Sequence, residues 1–179
     1  MTDQPTLQST RLLLRPLCLH DAPVVQSLAG DAAVADTTLR IPHPYPDGAA
    51  EAWIATLTPE WEIGGGATFA ITERELGSLV GVVGLTISEQ RTTAELGYWI
   101  GHPYWNRGYA TEAAQALLDW GMVALHLDSI MARHFIRNPA SGRVLQKLGM
   151  AREAGVNASI EKNGRLEEFA QYFLFATER

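Results

Sequence analysis

Ala94-Glu95-Leu96-Gly97-Tyr98-Trp99-Ile100-Gly101-His102-Pro103-Tyr104-Trp105-Asn106-Arg107-Gly108-Tyr109-Ala110-Thr111-Glu112-Ala113 changes its structural period in mid-course. Up to Gly101 the residues suit a strand. From Ala110 onward, Ala113, Ala114, Leu117, Leu118, Gly121, Met122 and Leu125 keep the i, i+3, i+4 spacing that only a helix gathers onto one face. A strand therefore runs through a tight turn into a helix. The unpaired N–H groups at a helix start, with the positive end of its dipole, form an anion site. Gly108 and Ala110 keep side chains out of a diphosphate's way, and Arg107 adds charge. The same residues also suit a plainer role, in which Gly108 ends a loop and Ala110 lets the helix pack closely. The turn has neither the Gly-Lys-Ser/Thr of a P-loop nor the three-glycine spacing of a dinucleotide fold, which disfavours nucleotide hydrolysis and nicotinamide chemistry.

Upstream, Thr68–Thr72, Leu79–Ile87 and Thr93–Gly101 read as antiparallel neighbours after the break at Gly64-Gly65-Gly66. Before them, Ala50, Trp53, Ile54 and Leu57 form the apolar stripe of a helix that Asp47 is placed to cap. Ile41 to Asp47 holds three prolines and reads as a stiff loop. Leu7–Leu17 reads as the first strand and Asp21–Leu28 as a short helix. Downstream come a strand at Ser129–Ile136, a helix at Pro139–Leu148 stopped by Gly149, and a strand at Phe169–Phe175. A helix between strands requires a crossover and at least one parallel pair.

No repeat or linker divides the 179 residues, and 46 % apolar content is enough for one substantial core, so one domain over residues 1–179 is expected. The single cysteine, Cys18, cannot form an intramolecular disulfide, which suits a reducing, cytoplasmic setting. Polar residues from Asp3 to Arg15 interrupt any secretory signal, and no run approaches the roughly 18 apolar residues of a membrane span. A net charge of −6 argues against a broad nucleic-acid surface and suits a cationic amine better. Neither His43 nor His134 is paired at metal-ligand spacing, so no metal is expected.

A second informative segment is Arg137-Asn138-Pro139-Ala140-Ser141-Gly142-Arg143-Val144-Leu145-Gln146-Lys147-Leu148-Gly149-Met150. Asn138 suits a helix cap with Pro139 at the first helical position. Together, in this order and separated by one strand, the two segments resemble the Gcn5-related N-acetyltransferase (GNAT) superfamily. Ser9-Thr10-Arg11-Leu12-Leu13-Leu14-Arg15-Pro16, the Ile41-Pro42-His43-Pro44-Tyr45 run and Trp53-Ile54 resemble its RimJ/RimL-type branch of ribosomal-protein N-terminal acetyltransferases. The resemblance spans roughly residues 8 to 175.

It implies an α/β (α+β) acyl-CoA N-acyltransferase fold: a mixed, mostly antiparallel sheet of about seven strands, splayed between strands 4 and 5, with helices on both faces. It implies acetyl-CoA as cofactor. Tyr98, Trp99, Ile100 and Gly101 would meet the pantetheine arm, one N–H polarising the thioester carbonyl. Asn106, Arg107, Gly108, Tyr109, Ala110 and Thr111 would hold the pyrophosphate, with Asn138 also on the cofactor. Trp105 stands where the family often has Gln or Arg, so a role for that side chain does not transfer. Attack requires a neutral amine, and Glu95 is the candidate base. An ion-paired strand glutamate is the alternative. Many members place a tyrosine seven residues after the asparagine, where this chain has Leu145. Ser141 matches the serine of the RimJ/RimL-type pattern and is the candidate proton donor to the thiolate, or else a second capping hydroxyl. Tyr45, Trp53, Trp61, His43 and His134 are candidates for the acceptor cleft, with core packing or surface exposure as the alternative for each.

The leading expectation is direct acetyl transfer, in a ternary complex without an acyl-enzyme, to the primary amine of a protein N-terminus or a small molecule. A catalytically silent acyl-CoA-binding module is the alternative. The sequence leaves the oligomeric state open, a homodimer included.

Overall fold

The structure, a computed structural model, describes residues 3–154 and 158–176. Among the described residues, fourteen strands and α-helices follow one another: β1 (Leu7–Gln8), β2 (Leu12–Pro16), α1 (Ala22–Ala29), α2 (Ala32–Thr37), α3 (Ala49–Glu62), β3 (Gly66–Glu73), β4 (Leu79–Ile87), β5 (Thr93–Ile100), α4 (Tyr109–Ala124), β6 (Ser129–Phe135), α5 (Pro139–Lys147), β7 (Ala151–Arg152), β8 (Ala158–Lys162) and β9 (Arg165–Phe175). The sheet order is β1-β2-β3-β4-β5-β6-β9-β7, with β8 also on β9. Among the described residues only the β5/β6 pair is parallel, as the crossover through α4 demands.

The nine strands exceed the expected seven for local reasons. Leu7–Leu17, expected as one strand, is a hairpin in which Leu7 faces Leu14. The polar Ser9-Thr10-Arg11 makes the turn, closed by the Ser9 N–H on the Leu12 carbonyl at 2.9 Å. Near the C-terminal end, Asn163 (φ 51°) and Gly164 (φ 74°) form a two-residue turn with both φ positive, which pairs β8 with β9. Asp47 does not cap α3: the cap is Gly48, at φ 75°, and no side chain completes it. The short α2 starts instead on the Asp31 carboxylate, which accepts from the Ala33 N–H at 2.8 Å.

Helices cover both faces of the sheet. On one, Ala113, Ala114, Leu117 and Leu118 of α4 are fully buried with Leu12, Leu14, Phe69, Val80 and Leu85. On the other, Val25 of α1 and Ala50, Ile54 and Leu57 of α3 pack against Ala70 and Val82. Each large aliphatic side chain buried in this way contributes about 1.5–3 kcal/mol.

The feature that positions the site is a parting of strands. Parallel pairing of β5 with β6 runs from Thr93/Ser129 to Leu96/Ala132 and stops. Beyond that point β5 continues on β4 as far as Ile100/Gly81, while β6 continues on β9 as far as Phe135/Phe169. A wedge-shaped gap opens between them. Counting Leu7–Leu17 as one strand, this is the splay between strands 4 and 5 that the resemblance implies.

Candidate active site

Which backbone groups face the gap follows from antiparallel alternation. The Gly101 N–H donates to the Val80 carbonyl at 2.8 Å, so in steps of two Trp99 and Gly97 also bond towards β4. The N–H and C=O groups of Tyr98 and Ile100 therefore point into the gap. The Gly101 N–H is committed to β4, and Gly101 lines neither of the cavities described below. The Ile100 carbonyl already accepts from the Trp105 indole N–H at 2.6 Å. This gives Trp105 a task of its own, closing the turn between β5 and α4.

Past Trp105 the chain turns through two positive-φ residues, Asn106 (62°) and Gly108 (80°), and enters α4. Asn106, Gly108, Tyr109, Ala110 and Thr111 line a cavity of about 340 Å³ beside the helix start. The Arg107 side chain is not among the lining groups; it folds back onto the Pro103 carbonyl at 3.2 Å and over the Tyr104 ring. Positive charge comes instead from Arg143 and Lys147, four residues apart on α5, which line the opposite wall. Sequence reading passed over this pair, although i, i+4 spacing after the Asn138 cap was signal enough.

Glu112 holds the α4 start in place. It accepts from the Ser9 hydroxyl (2.8 Å), the Arg11 N–H (2.7 Å) and the Arg11 guanidinium (2.7 Å), fastening the β1–β2 turn to the helix. Burial alone would raise its pKa, but these donors outweigh it and hold the carboxyl below its usual range. Arg11 also reaches the Arg107 carbonyl at 3.0 Å, fixing the loop from behind.

Asn138 caps α5 by accepting from the Ser141 N–H at 3.3 Å, and it lines the same cavity. Ser141 in turn lies with its hydroxyl 2.7 Å from that of Tyr98. Burial pushes the Tyr98 phenol up to about 12, only partly offset by that hydrogen bond, so it is a neutral O–H at physiological pH. Leu145, where many relatives have tyrosine, is wholly buried in the core and offers nothing to the cavity.

A larger cavity of about 650 Å³ lies over the other face of the sheet, under α1 and α3. It shares Thr37, Thr38, Tyr98, Trp99 and Ser141 with the smaller one, so the two meet at the gap. Glu95 lines it, but not as an unpartnered carboxylate. Arg133 grips it from β6 with three contacts of 2.7, 2.9 and 3.1 Å, and Arg40 stands 4.0 Å away. Of the two readings of Glu95, this is the ion-paired geometry. Tyr45, Trp53 and His134 do line the cavity, His134 with its Nδ1 2.8 Å from the Phe135 carbonyl. Two candidates are not brought there. His43 is exposed, with Nδ1 3.2 Å from the Gly30 carbonyl, and Trp61 packs against Trp120. Their apolar or ring character was visible in sequence, but not the direction each faces.

Among the described residues no group of three or more His, Cys, Asp or Glu side chains could hold a metal ion, and no helix is long and apolar enough to cross a membrane.

The chain is similar to known proteins over most of its length. Residues 11–151 match the acetyltransferase (GNAT) domain family. The uncharacterised N-acetyltransferase p20 of Bacillus licheniformis is 29 % identical over 175 residues, covering 97 % of both chains. A putative ribosomal-protein-serine acetyltransferase from Vibrio cholerae has the same fold, with a TM-score of 0.80 at 24 % identity over 98 % of this chain and 99 % of that one. So does the ribosomal L7/L12 alpha-N-protein acetyltransferase RimL, seen in complex with coenzyme A, with a TM-score of 0.86 at 16 % identity over 96 % of this chain and 98 % of that one.

Proposed function

The chain belongs to the acetyltransferase (GNAT) domain family, and on that ground we propose that it moves an acetyl group from acetyl-CoA directly onto an amine held in the larger cavity. The observation that carries this reading is the meeting of two cavities at the Tyr98–Ser141 pair, one walled by a helix start and two cations, the other by aromatic and charged side chains. We read residues 1–179 as one domain, a reading supported by the single sheet that the described residues form.

Acetyl-CoA, when bound, supplies an activated thioester. The amides from Asn106 to Thr111, with Arg143 and Lys147, receive its phosphates, and Asn138 borders the same niche. The inward-facing backbone groups of Tyr98 and Ile100 receive the pantetheine arm, and an N–H there stabilises the oxyanion, an effect worth roughly 3–4 kcal/mol in sites of this kind. The amine nitrogen bonds to the acetyl carbon as the carbon–sulfur bond breaks. The nitrogen loses one proton and the sulfur takes one, leaving an N-acetylated product and the CoA thiol. Ser141, backed by the Tyr98 O–H, donates to the sulfur.

Glu95 acts as a positioning residue. It holds Arg133 beside the acceptor, and a guanidinium there disfavours the ammonium form of the amine, whose proton leaves to water in the open cavity. No acyl-enzyme is involved, since Cys18 lines neither cavity. The names of two of these relatives support a protein N-terminal amine, such as that of a ribosomal protein, as the acceptor class; a small amine is the other acceptor, and the proposed setting is the cytoplasm.

Release of CoA thiol across a panel of N-terminal peptides and small amines tests the reading. Thiol release with at least one acceptor is the expected result. Tight acetyl-CoA binding without turnover over the whole panel would instead make the chain a silent acyl-CoA-binding module.

A further inference from the structure

The larger cavity contains a carboxylate that the mechanism above does not use. Glu60, on the last turn of α3, lines it and is partly buried. Among the described residues, the other acids buried to a similar or greater degree have partners: Asp21 has Arg15, Asp31 the Ala33 N–H, Glu73 Tyr109, Glu95 Arg133, Glu112 Arg11, Glu153 Gln171 and Glu167 Arg137. Among the described residues, none gives the Glu60 carboxylate a hydrogen bond or ion pair.

Its position is nonetheless built. A Cβ on Gly66 would lie 2.9 Å from Glu60 Oε1 and 3.0 Å from its Cδ, and one on Gly65 would lie 3.4 Å from its Cγ. The two glycines thus leave the slot in which the side chain rests. Gly66 is opposite Thr86, and Thr86 is opposite Glu95, so the three form one row across β3, β4 and β5 and face the same side of the sheet. Two strand spacings separate the two ends of this row, so the Glu60 carboxylate, resting on Gly66, lies roughly 10 Å from Glu95.

The two ends carry opposite charge. At the Glu95 end, two guanidiniums, Arg133 and Arg40, face one carboxylate. An amine there is favoured in its neutral, nucleophilic form, whereas an ammonium is favoured beside Glu60. Between the ends the sheet presents Thr86, and Trp53 and Leu57 of α3 supply apolar and aromatic lining.

We propose that Glu60 selects acceptors bearing a second positive charge, separated by an apolar spacer from the nitrogen that is acetylated. This deepens the acetyltransferase reading and rests on it. The second charge has two sources with the same chemistry, the far end of an α,ω-diamine or a lysine side chain near a peptide N-terminus.

The test is steady-state acetylation by the full chain, and by E60Q, of α,ω-diamines of increasing length against n-alkylamines with the same number of chain atoms. A parallel arm compares N-terminal peptides that differ only as lysine against norleucine. The expected result is a preference for the dibasic member of about five- to tenfold in kcat/KM, at one spacer length in the first arm or at lysine in the second. That preference should appear in the acceptor KM, vanish in E60Q, and leave the acetyl-CoA KM and the Tm unchanged. The arm in which it appears identifies the source. Equal rates for dibasic and monobasic acceptors in both arms, or a preference that survives in E60Q, would overturn the assignment of Glu60 while leaving the acetyltransferase reading intact. No thiol release with any amine despite acetyl-CoA binding would overturn both.

Discussion

The Tyr98 hydroxyl lies 2.7 Å from the Ser141 hydroxyl, joining β5 to the first turn of α5 across the gap where the sheet parts. On the proposed reading the two hydroxyls would act as one donor, the buried phenol being neutral. Ser141→Ala and Tyr98→Phe are each expected to lower kcat by about ten- to a hundredfold while leaving the acetyl-CoA KM nearly unchanged. The double variant should be no slower than the worse single one. Losses that multiply would show two independent roles.

Ala110→Glu separates the anion site from the fold. Ala110 lines the smaller cavity at the second position of α4, where a carboxylate suits the helix dipole and should leave Tm unchanged or slightly raised. Charge repulsion against a pyrophosphate should nevertheless weaken acetyl-CoA binding at least tenfold, measured by calorimetric titration. Gly108 is the poorer probe, because at φ 80° any side chain strains the turn by itself. Undiminished affinity in Ala110→Glu would move the phosphates elsewhere.

Because Arg133 grips Glu95, Glu95→Gln should lower turnover about three- to tenfold by loosening Arg133, while an acid limb persists in the pH–rate profile. Arg133→Met should raise the apparent pKa on the acid limb, since the acceptor ammonium loses its repelling neighbour. If the acid limb disappears in Glu95→Gln, Glu95 is the base after all.

Two carboxyls set the acid limit of stability. Asp21, almost wholly buried, would be raised by burial, but the Arg15 guanidinium and the Cys18 N–H hold it below its usual range; Glu112 is likewise lowered by its donors. With folded values below the unfolded ones, their stabilisation is fully present above roughly pH 4.3 and is lost as pH falls through the folded values. Asp21→Asn should cost about 1.5–3 kcal/mol at neutral pH and flatten the acid side of the Tm–pH curve. Tyr98 behaves in the opposite sense: its folded value is raised to about 12, so its contribution is intact below roughly pH 10 and is lost on rising towards 12.

What the sequence disclosed and what it hid divide along physical lines. Strand β4 and helix α4 were legible because long apolar periods leave little freedom of assignment, and the β5–turn–α4 unit carried the anion site with it. The β1–β2 hairpin was not, because its turn depends on Glu112, about a hundred residues away. The β8–β9 hairpin was announced by Asn163-Gly164 and was overlooked. At the site, the identity of Ser141 was readable but its partner was not, since Tyr98 reaches it only once the sheet has parted. Glu60 and the Arg133 grip on Glu95 are matters of three-dimensional packing, and no spacing in the chain encodes them.

Gly97 offers a test of where the acceptor sits. A Cβ built there meets nothing within 4 Å, and the residue lines the larger cavity but not the smaller one. Interior strand glycines cost about 0.5–1 kcal/mol relative to alanine, so Gly97→Ala should hold or raise Tm. Gly97→Val fills more of the same open space with a residue favoured in strands, so the fold should persist while the cavity narrows beside Glu95. The expected signature is an acceptor KM that climbs from Gly97 to Ala to Val, reaching at least tenfold, with the acetyl-CoA KM constant. A rise in the acetyl-CoA KM with no change for the acceptor would exchange the two cavities' roles.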